Sequence, residues 1–196
     1  MSARGHWYVT SDLARAASVA EAVAAHGVSV QLRAAREVND LEALGKRLRA
    51  ITRAAGVRFL VNRRVALARA MDADGLHVDA HRVQDARDLW PEAWITAPCH
   101  DDDDVRVAVR GGADEVLVSP IFSTPGKGEP RGLGALESAR AIASQSGTAK
   151  RTRVVALGGI TLENAASCLE HGADGIAAIR LFEEAADPSA VARSLL

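Results

Sequence analysis

Short β-branched or apolar runs recur along this chain, each followed by a turn and an alanine-rich segment with helical spacing, and the unit repeats eight times. The runs lie at residues 7–10, 28–32, 58–61, 75–78, 94–97, 115–118, 154–157 and 175–179. Between them, residues 40–55 place Leu41, Leu44, Leu48 and Ile51 on one helical face, residues 102–110 place Val105 and Val109, and residues 135–144 place Leu136, Ala139 and Ile142. Asn39 or Asp40, Asp101 or Asp102, and Thr161 are the expected N-caps. Gly-Ala-Asp occurs at 112–114 and 172–174, with Asp74-Gly75 and His26-Gly27 at similar joints, where glycine ends a helix and releases the next strand. Alternating β and α elements predict a parallel sheet covered on its faces, since parallel neighbours need crossovers. Eight of them predict closure into an α/β (βα)8 TIM barrel, with an open doubly wound sheet as the alternative. No linker divides the chain, so residues 1–196 read as one domain.

Both folds place ligands beyond the carboxyl ends of the strands, so function is read from the residues that follow each run. These are Thr10, Ser11 and Asp12; Gln31, Arg33 and Arg36; Asn62, Arg63 and Arg64; His77, Asp79 and Arg82; Thr96, Cys99 and His100; then a long loop; then Gly158-Gly159; and finally Ile179-Arg180. The loop belongs to the stretch 116–134, which holds half of the chain's six prolines. Long loops in compact chains are commonly functional. Ser119, Thr124, Gly126 and Lys127 offer hydroxyls, a bare backbone N–H and an ammonium within one arc, a set that suits an anion. Gly158 and Gly159 precede a helix expected to start near Leu162, which would bring backbone N–H groups to a helix N-terminus. With Ile179 and Arg180 on the neighbouring strand end, they form a candidate phosphate cup, because the loops after strands seven and eight of such barrels frequently hold phosphate.

The net charge of −1 argues against nucleic acid and membrane surfaces as partners, yet the charge is unevenly spread. Residues 31–69 carry ten Arg/Lys against three acids, and residues 72–115 carry twelve acids against four Arg. No apolar run is long enough for a membrane span, and the first residues lack a signal peptide's apolar core. Cys99 and Cys168 have no metal-site spacing, so a reducing cytoplasm is the expected setting. Cys99 and His100 resemble a nucleophile pair, but neighbours on a strand face opposite ways. The run Asp101–Asp104 reads as a helix cap before it reads as a metal site. Arg131 reads equally as a ligand contact or as surface, and Trp7, Trp90 and Trp94 read as packing residues.

Several phrases together resemble the thiamin phosphate synthase/TenI family, whose barrels handle a thiazole phosphate in vitamin B1 synthesis. They are Trp-Tyr-Val-Thr-Ser-Asp (7–12), Val-Gln-Leu-Arg (30–33), Leu-Val-Asn-Arg-Arg (60–64), Asp-Gly-Leu-His-Val (74–78), Ser-Pro-Ile-Phe-Ser-Thr-Pro-Gly-Lys (119–127), Val-Ala-Leu-Gly-Gly-Ile (155–160) and Gly-Ala-Asp-Gly-Ile-Ala (172–177). The resemblance implies that Gln31, Arg33 and Asn62 bind a pyrimidine diphosphate, that Thr124 and Lys127 serve the sixth loop, and that Gly158, Gly159 and Ile179 cradle the thiazole phosphate. It also implies Mg²⁺ as cofactor and often a homodimer. Departures qualify it. A family Lys aligns with Ala35, a family Ser with Pro98, and the two Mg²⁺ carboxylates with Arg63 and Arg82, which cannot ligate a cation. Three readings follow. The first is a synthase that clamps diphosphate with Arg63 and Arg82 in place of the metal. The second is a TenI-like thiazole tautomerase, in which Pro120 replaces the expected loop histidine and His100 or His77 would be the base. The third is a barrel that binds a phosphorylated ligand without turnover.

Overall fold

A computed structural model describes residues 5–34, 40–145 and 151–195. Ala35, Arg36 and Asn39 lie outside them. Eight parallel strands follow one another around a ring: β1 (Trp7–Val9), β2 (Ser29–Leu32), β3 (Phe59–Asn62), β4 (Gly75–His77), β5 (Trp94–Cys99), β6 (Glu115–Val118), β7 (Arg153–Leu157) and β8 (Gly175–Ala178). Pairing of β1 with β8, Trp7 opposite Ala177 and Tyr8 opposite Ala178, closes the ring and replaces the open-sheet alternative. Helices α1 (Ala16–Ala24), α2 (Leu41–Ala55), α3 (Val65–Ala70), α4 (Val83–Leu89), α5 (Asp102–Arg110), α6 (Gly134–Ser144), α7 (Ala165–Glu170), α8 (Arg180–Glu183) and α9 (Pro188–Ser194) follow in order. A 3-10 turn at Ala80–Arg82 leads into α4.

The period of two along each strand divides the core. Trp7, Val9, Leu60, Leu117, Val155 and Ala177 form a small cluster of their own inside the ring. Their neighbours Tyr8, Val30, Phe59, Val61, Leu76, Ile95, Val116, Val154 and Ile176 join the larger core shared with the helices. At the amino ends of the strands the interior turns polar. The Trp7 indole donates to Glu115 at 2.6 Å, Arg153 lies 3.7 Å from the same carboxylate, and the Arg58 guanidinium stacks on the Trp94 ring at 3.6 Å. Burial pushes the Glu115 carboxyl up to about 7, against the opposing pull of Arg153 and the Trp7 N–H. Glycine is required beside this layer: a Cβ on Gly75 would come within 1.9 Å of the Trp94 carbonyl oxygen.

The repeated Asp before a strand has a structural function that the sequence pattern suggested only for the glycines. Asp74 accepts from the Phe59 N–H and from Arg49 of α2, each at 2.8 Å. Asp114 accepts from the Ile95 N–H and from Arg87 of α4, again at 2.8 Å. Asp174 accepts from the Val154 N–H at 2.9 Å and from Arg140 of α6 at 2.9 Å. In each case the acid before an even-numbered strand satisfies the first N–H of the preceding strand or its neighbour and ties in the helix before it. These clamps occupy the amino rim and leave the carboxyl rim to the site.

Candidate functional site

On the β2 to β4 side, the carboxyl rim brings Arg33 and Arg63 to His77. Gln31 is buried in the mouth, and the backbone N–H of Arg33 donates to the Thr10 hydroxyl at 2.9 Å, fixing the start of an exposed side chain. Asn62 ends β3 half-buried. Arg63 follows it at a φ of 60°, a left-handed conformation uncommon for arginine. Its N–H donates to the His77 carbonyl at 2.9 Å and its guanidinium meets Asp79 at 2.5 Å. Strain of this kind persists where surrounding structure enforces it, which is common at functional sites. His77, buried at the end of β4, pairs through Nδ1 with the Thr96 hydroxyl at 2.8 Å. Burial lowers its pKa to about 4. The Asp79 charge opposes the shift, and Arg63 and Arg33 reinforce it, so the imidazole is neutral at working pH.

The remaining predicted residues divide between β5 to β8 and the outer surface. Cys99 is buried and its thiol is pushed up by burial, which removes it as a nucleophile. His100 turns away from it, with Nδ1 at 3.2 Å from the Ser119 carbonyl and 3.4 Å from the Ser119 hydroxyl. Arg82 lies outside the cluster formed by Arg63: its Nε donates to Asp85 at 3.0 Å on the surface of α4. The loop after β6 first runs beside β7, with Ile121 and Phe122 N–H groups donating to the Leu157 and Gly158 carbonyls at 3.0 Å. It is closed at its base by Arg131 N–H to Pro120 carbonyl (2.8 Å) and Gly132 N–H to Ile121 carbonyl (3.1 Å). Between these stems Gly126 and Lys127 are exposed, and Lys127 makes no ion pair among the described residues.

Gly158 and Gly159 lie directly beneath that loop. A Cβ on Gly158 would stand 2.8 Å from the Pro120 Cα and 3.3 Å from the Thr124 hydroxyl, and both glycines have positive φ. The regular helix α7 starts at Ala165, after one helical turn in which the Ala165 N–H donates to the Thr161 carbonyl at 3.0 Å, and the Asn164 side chain accepts from the Thr161 N–H and donates to the Gly159 carbonyl, each at 2.9 Å. The glycine turn stands directly before this first helical turn. Ile179 and Arg180 lead straight into α8 on the adjoining strand end.

Glu183 was not read as a site residue in the sequence, and Asp79 and Arg131 gain partners that the sequence did not show. Asp79, two residues beyond His77 and so on its face, holds Arg63. Glu183 is a buried acid at the same rim. Arg131 is not plain surface: its guanidinium donates to Asp102 at 2.7 Å while Ser138 donates to the same carboxylate at 2.5 Å. This pins the loop stem to α5 and α6. The Asp101–Asp104 run is spent on caps and pairs: Asp101 accepts from the Asp104 N–H at 2.8 Å, Asp103 pairs with Arg106, and Asp104 accepts from the His100 N–H. The donors at the mouth do not fit a magnesium ion. Arginines stand at the two carboxylate positions, Asp79 is engaged by Arg63, and among the described residues no group of three or more His, Cys, Asp or Glu is placed to hold a metal.

A closed ring of parallel strands whose cations, glycine turn and one long loop share a single rim defines a (βα)8 barrel of the small-ligand class. The chain belongs to the thiamine monophosphate synthase family, whose model matches residues 8–182. It is 38% identical over 170 residues to a thiamine-phosphate synthase of Geobacillus thermodenitrificans, covering 83% of this chain and 73% of that one. It is 39% identical over 185 residues to one of Haloarcula marismortui, covering 90% and 85%. Among solved structures, thiamine phosphate pyrophosphorylase from Pyrococcus furiosus superimposes with a TM-score of 0.81 at 27% identity, covering 98% of this chain and 93% of that one.

Proposed function

We propose that this chain is a thiamine-phosphate synthase in which arginine carries the charge that the family resemblance assigns to a metal. It joins hydroxymethylpyrimidine diphosphate to thiazole phosphate. The C–O bond to diphosphate breaks with its electron pair leaving on the diphosphate, and the thiazole nitrogen lone pair then closes a C–N bond on the pyrimidine carbocation. Stabilising the leaving charge is the main catalytic demand, and preorganised cations meet it. Gln31, Arg33 and Asn62 hold the pyrimidine diphosphate, Lys127 and Thr124 close over it from the sixth loop, and Gly158, Gly159, Ile179 and Arg180 receive the thiazole phosphate.

The observation that carries this reading is Arg63, held by its own backbone at the mouth beside His77 and Arg33 while its guanidinium rests on Asp79. That pair is solvent-exposed, and exposed pairs are worth about 0–1 kcal/mol, so exchanging Asp79 for a diphosphate costs little. A bidentate guanidinium contact to phosphate oxygens is stronger than what it replaces. Arg82 is held by an equally exposed pair with Asp85, so its release costs as little. His77, neutral and buried, supplies hydrogen bonding without adding charge.

The test is a product assay on the purified chain with both substrates, read by mass spectrometry. Thiamin phosphate with stoichiometric diphosphate is the expected result. Isomerised thiazole phosphate without joining would replace this reading with the tautomerase, and tight thiazole phosphate binding without either product would replace it with a binding barrel.

A further inference from the structure

We infer that Glu183 is a positioning residue for the thiazole phosphate side of the mouth. The inference rests on the phosphate cup proposed above at Gly158, Gly159, Ile179 and Arg180. Glu183 closes α8, the short helix that Arg180 opens, and its side chain points back to the end of β1. One carboxylate oxygen accepts from the Tyr8 hydroxyl at 2.9 Å, the Ser11 N–H at 2.7 Å and the Asp12 N–H at 3.0 Å. The other accepts from the Ser11 hydroxyl at 2.5 Å. Arg15 donates to the Glu183 carbonyl, and the Tyr8 ring packs edge-on against Phe182 with centroids 6.0 Å apart.

The geometry joins two loops that are neighbours on the rim, because β1 and β8 pair in the ring. One carboxylate thereby sets the distance between the turn at Ser11-Asp12 and the segment Ile179-Arg180. The acid is buried, and its charge is taken up by four donated hydrogen bonds, so it organises the anion side of the mouth without leaving a free carboxylate to repel the ligand. Burial also pushes the Tyr8 phenol well above its ordinary range, so that donor stays protonated. Glutamine has the same shape but brings an NH2 group into a shell made only of donors, so at least one of these hydrogen bonds breaks or reverses.

The experiment measures dissociation constants of thiazole phosphate and of pyrimidine diphosphate by calorimetry on the full chain, its Glu183→Gln, Glu183→Asp, Arg180→Ala and Ser11→Ala variants. For Glu183→Gln we expect thiazole phosphate to weaken by about tenfold, the effect of breaking or misplacing one charge-assisted hydrogen bond, with pyrimidine diphosphate changed by less than about twofold. Glu183→Asp should recover part of that affinity. Ser11→Ala should shift the same ligand in the same direction by a smaller factor, and it decides the matter if Glu183→Gln does not fold. Both ligands weakening in parallel, or neither weakening in Glu183→Gln and Ser11→Ala while Arg180→Ala still weakens thiazole phosphate, would overturn the positioning role and leave the cup standing. Unchanged affinity in Arg180→Ala as well would overturn the cup and the positioning role with it.

Discussion

Lys127 stands at the exposed tip of the loop after β6, between a glycine with φ of 73° and the exposed Gly128, and none of the described acids neutralises it. A cation held out in this way is available to a phosphate. Lys127→Ala, with its circular dichroism spectrum unchanged, is expected to weaken phosphate-ligand binding by about tenfold, the effect of one charge-assisted hydrogen bond. Unchanged affinity would take the loop out of the site. Lys127, Arg63 and the glycine pair were legible because each follows a predicted strand, and in this fold that position alone brings residues to the mouth. Asp79 was legible in the same way, as a residue that follows the fourth strand. Glu183 was not, since an acid after Leu181 and Phe182, with Glu184 beside it, has no local signature. Its role is created by β1, which meets it only in the closed ring.

At the scale of elements, the eight strands and the helices over residues 40–55, 102–110 and 135–144 were readable, whereas α8 and α9 followed from no stated signal. Asp40 takes the expected N-cap position of α2, in a left-handed conformation and without a side-chain hydrogen bond, and regular α7 begins at Ala165 after a first turn from Thr161. The joints with Asp74, Asp114 and Asp174 show the opposite case, a repeat visible in the sequence whose meaning depends on helices packed outside the ring. Asp114, nearly buried between Arg87 and the start of β5, is the strictest of these. Asp114→Ala leaves the Arg87 guanidinium and the Ile95 N–H without that partner and should cost about 3–5 kcal/mol in urea unfolding. Asp103→Ala, which removes only an exposed pair within one helical turn, should stay within about 0.5 kcal/mol. Equal effects of the two would contradict the clamp.

Across the whole molecule, the uneven charge noted in the sequence is largely resolved internally. The basic segment meets the acidic one through Arg49 with Asp74, Arg53 with Asp72 and Arg63 with Asp79. Two buried groups at opposite ends of the ring give opposing pH dependence. Glu115, raised to about 7, contributes stability that is present below the ordinary carboxyl range and lost as pH rises through 7. His77, lowered to about 4, contributes stability present above the ordinary imidazole range and lost as pH falls toward 4. Unfolding free energy measured from pH 4 to pH 7 should therefore vary little in the parent chain from these groups. Glu115→Gln should expose a rise with pH, and a falling profile in that variant would refute the assignment. If arginine, not magnesium, meets the leaving diphosphate, product formation should be independent of the metal. The measurement compares product in EDTA and in excess Mg²⁺ for the parent chain and for Arg63→Asp combined with Arg82→Asp. Equal product in both conditions is expected for the parent, and a gain of magnesium dependence in the double variant. Product that appears in the parent only with Mg²⁺ would contradict it.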